Sequence, residues 1–280
     1  MKIDSKMRRY FLTGGTGFIG REIVRKLLLK SDTELICCLT RGNNQNLIDD
    51  PRISYWIGDI AWCDFPDLEF TDVIHGANDA NDLEQADLHE YYFGIVEGTA
   101  RIIEWVKEKR IPNCLILSSG AVVRNTVYGR AKKRCEEIAN GCKIARIFSV
   151  IGPEMPLNSQ FAAGIFVRKA LEGKIEYYGG DSTRTYLDIS DCAEWLLKIL
   201  DNGTNLYPYD IADNEQIRIK NLARMIGQKF NVPVVKKHDP DRIDTYSPNL
   251  DAAYSLGCRQ TMTLEQSIEK IHAHFCNPNK

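Results

Sequence analysis

The sequence predicts an α/β protein: a doubly wound parallel sheet that carries a smaller C-terminal lobe. Two observations predict it. A glycine-rich run, Thr13-Gly14-Gly15-Thr16-Gly17-Phe18-Ile19-Gly20, sits between a short apolar stretch and an amphipathic one. Beyond it, apolar strand-like runs alternate with helical patterns until Gly152-Pro153, after which the pattern is less regular. That alternation is the signature of helices covering both faces of a parallel sheet.

Each element follows in order. Tyr10-Phe11-Leu12 reads as a buried first strand and Ile19 to Leu29 as the first helix. Leu35 to Thr40, Ile53 to Ile57 and Val73 to Ala77 read as strands two to four. Glu84 to Lys109 holds a long helix, with Ile95, Thr99, Ile102, Ile103 and Val106 on one face. Asn113 to Ser119 is the next strand. Val127 to Asn140 is a helix closed by Gly141, and Lys143 to Val150 a further strand. In the second half, Gln160 to Leu171, Asp191 to Leu200 (Ser190 as N-cap), Ile219 to Phe230 and Leu264 to Phe275 read as helices. Lys174 to Tyr178, Arg184 to Leu187 and Leu206 to Ile211 read as extended. The expected division is residues 1–152 for the sheet domain, with later segments interleaved, and 153–280 for the second lobe.

Composition narrows the function classes. A chain of 280 residues with net charge −2 gives no reason to expect nucleic acid or an anionic membrane as partner. No apolar run approaches the ~20 residues that span a bilayer, and Met1 to Lys6 is polar, unlike a signal peptide. The nine cysteines include no CxxC pair, and Cys37, Cys38 and Cys114 lie in apolar strands. This usage predicts a reducing, cytoplasmic setting.

The strand, glycine turn and helix at 10–29 imply a Rossmann-like dinucleotide site. Gly14 permits the tight turn, Gly17 lets the backbone approach a pyrophosphate, and Gly20 lets the helix pack close. The helix start at Phe18 and Ile19 offers N–H groups and a positive dipole end to phosphates. Past strand two stands Arg41 with no carboxylate beside it, and a guanidinium there suits a ribose 2′-phosphate. NADP(H) is therefore the expected cofactor, with NAD(H) the alternative.

Tyr128 and Lys132 lie four apart on one face of a helix. An ammonium near a phenol favours proton exchange at that oxygen. Ser119 ends the preceding strand at the carboxyl edge, where open α/β sheets bind ligands. A hydroxyl, a phenol and an ammonium so arranged serve hydride transfer, in which the protein orients the substrate and moves one proton.

With these residues in hand, the chain resembles the extended short-chain dehydrogenases/reductases, of the nucleotide-sugar epimerase, dehydratase and ketoreductase type. The carrying motifs are TGGTGFIG, Gly58-Asp59-Ile60, His75-Gly76-Ala77, Gly98-Thr99, Ser118 to Val122, Arg146 to Pro153 and Arg184 to Asp191. The resemblance implies Ser119, Tyr128 and Lys132 as catalytic residues. It implies Asp59, Ile60, Ala77, Tyr128 and Lys132 beside the cofactor, with Lys132 on the nicotinamide ribose, and Arg184 on the substrate's diphosphate. Ser149 is expected near the substrate, and Asn78 near the sugar or the cofactor, or equally as a turn residue. The resemblance also implies a homodimer through the two helices at 84–109 and 127–140.

Departures from the family pattern narrow the reaction. Only eight residues separate Ser119 from Tyr128, Ile95 replaces an Asn, and Ser149 replaces another. Gly120 and Ala121 stand where dehydratases carry an acidic pair, which argues against water elimination. The expected function is NADPH-dependent reduction of a nucleotide-linked 4-keto-6-deoxy sugar. The alternatives are a nucleotide-sugar 4-epimerase with tightly bound NAD and a non-catalytic dinucleotide-binding regulator. His75 is expected to be a satisfied structural histidine. His272 and His274 do not share a helix face, and no metal site is expected. Trp56, Trp105 and Trp195 are expected in packing, while Trp62 finds no place in this reading.

Overall fold

A computed structural model describes residues 7–42, 47–77, 88–158, 161–178, 180–237 and 247–276. In chain order these form β1 (Arg8–Thr13), α1 (Phe18–Leu28), β2 (Thr33–Thr40), β3 (Ile53–Ile57), β4 (Asp72–His75), α2 (Leu88–Glu108) and β5 (Asn113–Ser119). A 3-10 turn, Gly120–Val123, leads to α3 (Val127–Ile138), β6 (Lys143–Ile147), β7 (Val150–Ile151), α4 (Ala162–Leu171), β8 (Ile175–Tyr177), β9 (Thr183–Arg184) and β10 (Leu187–Asp188). The chain ends through α5 (Ile189–Asn202), β11 (Pro208–Ile211), β12 (Ile217–Arg218), α6 (Ile219–Phe230), β13 (Val234–Lys236), α7 (Asp251–Ser255) and α8 (Leu264–Cys276).

Seven strands pair in the order β11-β6-β5-β4-β1-β2-β3, each pair parallel. The order reverses direction between β1 and β4, as in a doubly wound sheet. Both faces are covered, which is why the strands are apolar throughout rather than alternating. Tyr10, Leu12, Ile74 and Leu115 face α1 and α5, where Ile23, Leu27, Trp195 and Leu196 pack. Phe11, Val73, Cys114 and Ile116 face α2, where Ile102, Trp105 and Val106 pack. Cys37, Cys38 and Cys114 are buried free thiols and behave as small hydrophobes.

The second lobe builds its own core from α4, α6, α8 and β8, around Phe166, Val167, Ile175, Leu222, Ile226 and Ile271. Its other ladders, β10-β7, β12-β9 and β13-β8, have two strands each. Phe18 at the start of α1 packs on this core, and Glu154 pairs with Arg21 (3.1 Å) and Arg25 (2.6 Å). Thus α1 touches both halves. The later segment α5-β11 returns to the large sheet.

Several boundaries differ from the sequence reading. The fourth strand stops at His75: Gly76 N–H makes the last ladder bond to the Thr13 carbonyl (3.0 Å), and Ala77 N–H turns instead to the Thr13 hydroxyl (3.1 Å). The strand read as Lys143 to Val150 is two strands in different sheets, since the chain crosses to the lobe over Phe148-Ser149. Arg184 to Leu187 likewise divides into β9 and β10. Asp188 rather than Ser190 caps α5, its Oδ1 accepting from Ser190 N–H at 2.9 Å. The helix α3 ends at Ile138, where fully buried Ala139 turns the chain inward, and Gly141 takes its positive φ of 81° beyond the cap. Trp105 and Trp195 are buried, but Trp56 is 38% exposed because β3 is the sheet's edge strand. Trp62 is 85% exposed.

Candidate active site

Parallel pairing brings the carboxyl ends of β1 to β6 to one edge of the sheet. The glycine turn lies there. Gly14 has φ +75°, and a Cβ on it would sit 2.8 Å from the Gly76 carbonyl carbon and 2.9 Å from Ala77 N. A Cβ on Gly20 would sit 2.0 Å from the Gly14 carbonyl oxygen. Gly17 N–H donates to that same oxygen at 3.0 Å, closing the turn. Gly17 is the N-cap of α1, with no side-chain cap and no acid in the first turn, so the N–H groups at Phe18 and Ile19 keep their anion-binding capacity. This uncapped backbone cradle fits a dinucleotide diphosphate.

Beside the turn, β2 ends at Thr40 and exposed Arg41 follows. After β3, Asp59 Oδ1 accepts from Ala61 N–H at 2.9 Å. The Ile60 carbonyl is held by Arg101 of α2 (2.6 Å), which also holds the Cys63 carbonyl (2.8 Å). The segment 59–63 is therefore fastened from behind, leaving Asp59 at the sheet edge. Ala77 lies against the Gly14 turn.

Ser119 closes β5, and α3, which carries Tyr128 and Lys132, packs back on that strand. Ser119 caps the 3-10 turn, its Oγ accepting from Ala121 N–H at 3.2 Å. With that lone pair used, its O–H is left to donate. Thr126 caps α3 by accepting from Gly129 N–H at 3.0 Å. Lys132, only 3% exposed, donates from Nζ to the Leu117 carbonyl at 3.0 Å, and the same Nζ lies 5.9 Å from the Tyr128 ring centre. One ammonium thus bridges the strand and the phenol-bearing helix.

The eight-residue connection is accommodated by Gly129, where a Cβ would meet the Ala121 and Arg124 carbonyls at 2.4 Å. Behind the strand end, Glu136 of α3 accepts from Ser118 Oγ (2.5 Å) and from Arg146 Nη2 (2.6 Å), tying α3 to β5 and β6. Gly120 abuts the Phe148 ring, 2.8 Å from where a Cβ would stand.

The remaining expected residues are more dispersed. Ser149 lies on the crossing to the lobe, its carbonyl accepting from Leu187 N–H at 3.0 Å. Arg184 is half-buried on β9, donating to the Thr183 carbonyl at 2.7 Å. Asn78 lies outside the described residues. Sequence reasoning missed Thr13, Gly129 and Glu136. The available signal was a hydroxyl closing a buried strand, a glycine directly after the helical tyrosine, and an acid one helix turn past Lys132. Burial lowers the His75 imidazole to about 3, with the nearby Lys132 ammonium a smaller cause, so the ring is neutral at ordinary pH.

Among the described residues no group of three or more His, Cys, Asp or Glu is placed to hold a metal ion, and no helix is long and apolar enough to cross a membrane. A Methanocaldococcus jannaschii protein assigned as a UDP-glucose 4-epimerase is 26% identical, over 96% of this chain and 99% of its own length. The UDP-glucuronic acid decarboxylase 1 of Arabidopsis thaliana is 23% identical over 98% of this chain and 71% of its own. Among solved structures, an epimerase from Methanothermobacter thermautotrophicus superposes with a TM-score of 0.86 at 17% identity, covering 97% of this chain and 93% of that one. A dTDP-glucose 4,6-dehydratase from Bacillus anthracis in complex with NAD superposes with a TM-score of 0.82 at 19% identity, covering 96% and 97%. The NAD dependent epimerase/dehydratase family matches residues 10–212, most of the chain, and this protein belongs to that family of short-chain dehydrogenase/reductase enzymes.

Proposed function

We propose that the protein catalyses hydride transfer at C4 of a nucleotide-linked hexose, as an NADPH-dependent reductase of a 4-keto-6-deoxy sugar. The observation that carries this reading is the junction at the end of β5. There the Ser119 hydroxyl closes the strand, the Lys132 ammonium is anchored on Leu117 with its Nζ 5.9 Å from the Tyr128 ring centre, and the Phe148 ring occupies the space a side chain at position 120 would need. Expelling water from a hexose calls for a further acid and base. Reducing a carbonyl calls for one proton and one oriented oxygen.

The dinucleotide, when bound, supplies the hydride. The backbone at Gly14, Gly17, Phe18, Ile19 and Gly20 would hold its diphosphate, Arg41 its 2′-phosphate, Asp59 and Ile60 its adenine, and Ala77 and Lys132 its nicotinamide end. Tyr128 gives its phenolic proton to the substrate oxygen. Ser119 donates a hydrogen bond to that same oxygen, its own acceptor capacity being partly used by Ala121 N–H. Lys132, anchored on Leu117, has two further N–H groups for a ribose hydroxyl and the phenol. Ser149 and Arg184 would hold the sugar and the substrate diphosphate.

A 4-epimerase with tightly held NAD is the second reading, favoured by the full-length likeness to the M. jannaschii relative. It uses the same three residues at the same oxygen. Denaturing purified protein and identifying any released dinucleotide separates the two, together with NADPH and NADH titrations followed by nicotinamide fluorescence. The reductase reading expects little retained cofactor, tighter NADPH, and a loss of about tenfold in NADPH affinity alone for Arg41→Ala. Retained NAD that does not exchange moves the assignment to the epimerase. In either case Tyr128→Phe is expected to lower turnover by about 10²–10⁴ while leaving dinucleotide affinity intact. Normal turnover in that variant sinks both readings.

A further inference from the structure

Thr13 closes β1 with a hydroxyl that has three hydrogen-bonding neighbours. Gly76 N–H and Ala77 N–H point to it at 3.2 and 3.1 Å, and His75 Nδ1 lies 2.7 Å away. A hydroxyl has one proton and two lone pairs. The two backbone groups can only donate, so they take the lone pairs, and the proton goes to His75 Nδ1. That nitrogen is therefore a bare acceptor. In a neutral ring the hydrogen then sits on Nε2, which donates to Thr99 Oγ1 at 3.0 Å. Thr99 passes its own proton to the Ile95 carbonyl one turn back in α2, at 2.9 Å. Cys135 Sγ of α3 stands 3.2 Å from the same hydroxyl and 3.7 Å from the Ile95 carbonyl, joining α3 to the set.

From Thr13 through His75 to Thr99 this count fixes the direction of each bond, and the members are buried: Thr13 is 3% exposed, His75 2%, Thr99 1% and Cys135 0%. A doubly protonated ring would face two hydrogens at the Thr13 oxygen, whose lone pairs are already used. It would also bury a second cation beside Lys132.

The chain joins four elements that come from distant parts of the sequence. At one end, Thr13 holds the Gly76-Ala77 backbone against the Gly14 turn. At the other, Cys135 lies on α3 at the i+7 position from Tyr128 and i+3 from Lys132, on their face of the helix. We propose that His75, in its Nε2–H form, is a positioning residue that sets the glycine turn in register with the helix bearing Tyr128 and Lys132. It touches no reacting atom. It acts through Thr13 on the cradle and through Thr99 and Cys135 on α3. The proposal rests on the dinucleotide reading of that cradle.

The first test needs no ligand. Two-bond hydrogen–nitrogen correlation spectra of ¹⁵N-labelled protein resolve histidine tautomers, and the five histidines are assigned by comparison with His75→Gln. The expected pattern is a protonated Nε2 and a bare Nδ1, unchanged between pH 8 and pH 5.5. An Nδ1–H tautomer or an imidazolium overturns the proposal.

The second test compares His75→Leu with His75→Gln, whose amide keeps one donor and one acceptor. His75→Leu is expected to weaken NADPH or NADH binding about fivefold, the worth of one lost hydrogen bond, with His75→Gln restoring most of it. Mass-spectrometric mapping with iodoacetamide is expected to show Cys135 alkylated faster in His75→Leu only. Equal affinities and equal Cys135 reactivity in both variants overturn the proposal. If the wild type binds neither dinucleotide, the cofactor reading fails, while the spectra still decide the tautomer on their own.

Discussion

The sheet edge and the second lobe are held by different physics. At the edge, backbone meets backbone: Gly14 against Gly76 and Ala77, Gly20 against Gly14, Gly129 against the Ala121 and Arg124 carbonyls. These approaches tolerate no Cβ, and they are joined by directed, buried hydrogen bonds through Thr13, His75 and Thr99. The lobe is held by side chains, with Phe166, Val167, Leu222, Ile226 and Ile271 packed between helices and only two-stranded ladders beside them. A backbone contact has one solution, whereas a packed apolar core has many of similar energy. The edge is built for geometric precision and the lobe for looser packing, which would suit the proposed site, with a dinucleotide held in one pose and a sugar side that can vary.

Breaking the lobe is expected to cost the most stability. Phe166 is 4% exposed, and Phe166→Ala should destabilise the protein by about 3–5 kcal/mol in urea unfolding. Dinucleotide affinity of the folded protein should be unchanged, because the glycine contacts and hydrogen bonds of the cradle do not involve that ring. If affinity falls with stability, the two regions are coupled through Phe18, which belongs to both, and the division drawn above is too sharp.

Breaking the edge reverses the pattern. Gly20→Ala forces a methyl group against the Gly14 carbonyl and must displace the turn. Because misplacement of about an ångström carries large functional cost, dinucleotide binding should weaken by about a hundredfold, with a smaller stability loss of about 1–3 kcal/mol. Nicotinamide fluorescence and urea unfolding on the same sample check both numbers. A large stability loss with normal affinity would mean the turn relaxes without harm to the cradle.

The same contrast explains what could be read from the sequence. The glycine turn was legible because its constraints are local and only glycine meets them. Tyr128 and Lys132 were legible as neighbours on one helix face, since a four-residue helical spacing sets them there, and Lys132 Nζ lies 5.9 Å from the Tyr128 ring centre. The crossing at Phe148-Ser149 was read as continuous strand, because apolar residues suit both the sheet and the lobe and nothing local marks the change of partner. The division of Arg184 to Leu187 into two strands failed for the same reason. Asp188 was missed as the α5 cap because its other oxygen answers to Ser267, which lies 79 positions further along the chain. The Thr13-His75-Thr99 chain was half legible: His75 as a satisfied buried histidine was, and the partners that satisfy it were not.

The smallest effect tests the buried chain itself. In the unfolded chain His75 titrates near 6.5, while in the folded protein burial, and secondarily Lys132, hold it down to about 3. Between those values the unfolded state binds a proton that the native state refuses. The contribution of His75 is therefore complete well above pH 6.5 and is lost as pH falls through it, with a slope that rises to about 1.4 kcal/mol per pH unit below it. His75→Gln carries no such slope. Urea unfolding of both proteins at pH 6.5 and pH 5.5 should show the wild type losing about 1 kcal/mol relative to the variant, since the unfolded imidazole is already half protonated at pH 6.5. A difference that stays flat with pH would mean that the folded protein accepts the proton as readily as the unfolded chain. The hydroxyl of Thr13 would then have to turn its own proton away from Nδ1 and give up one of its two backbone donors, and the link between the glycine turn and α3 would open in acid.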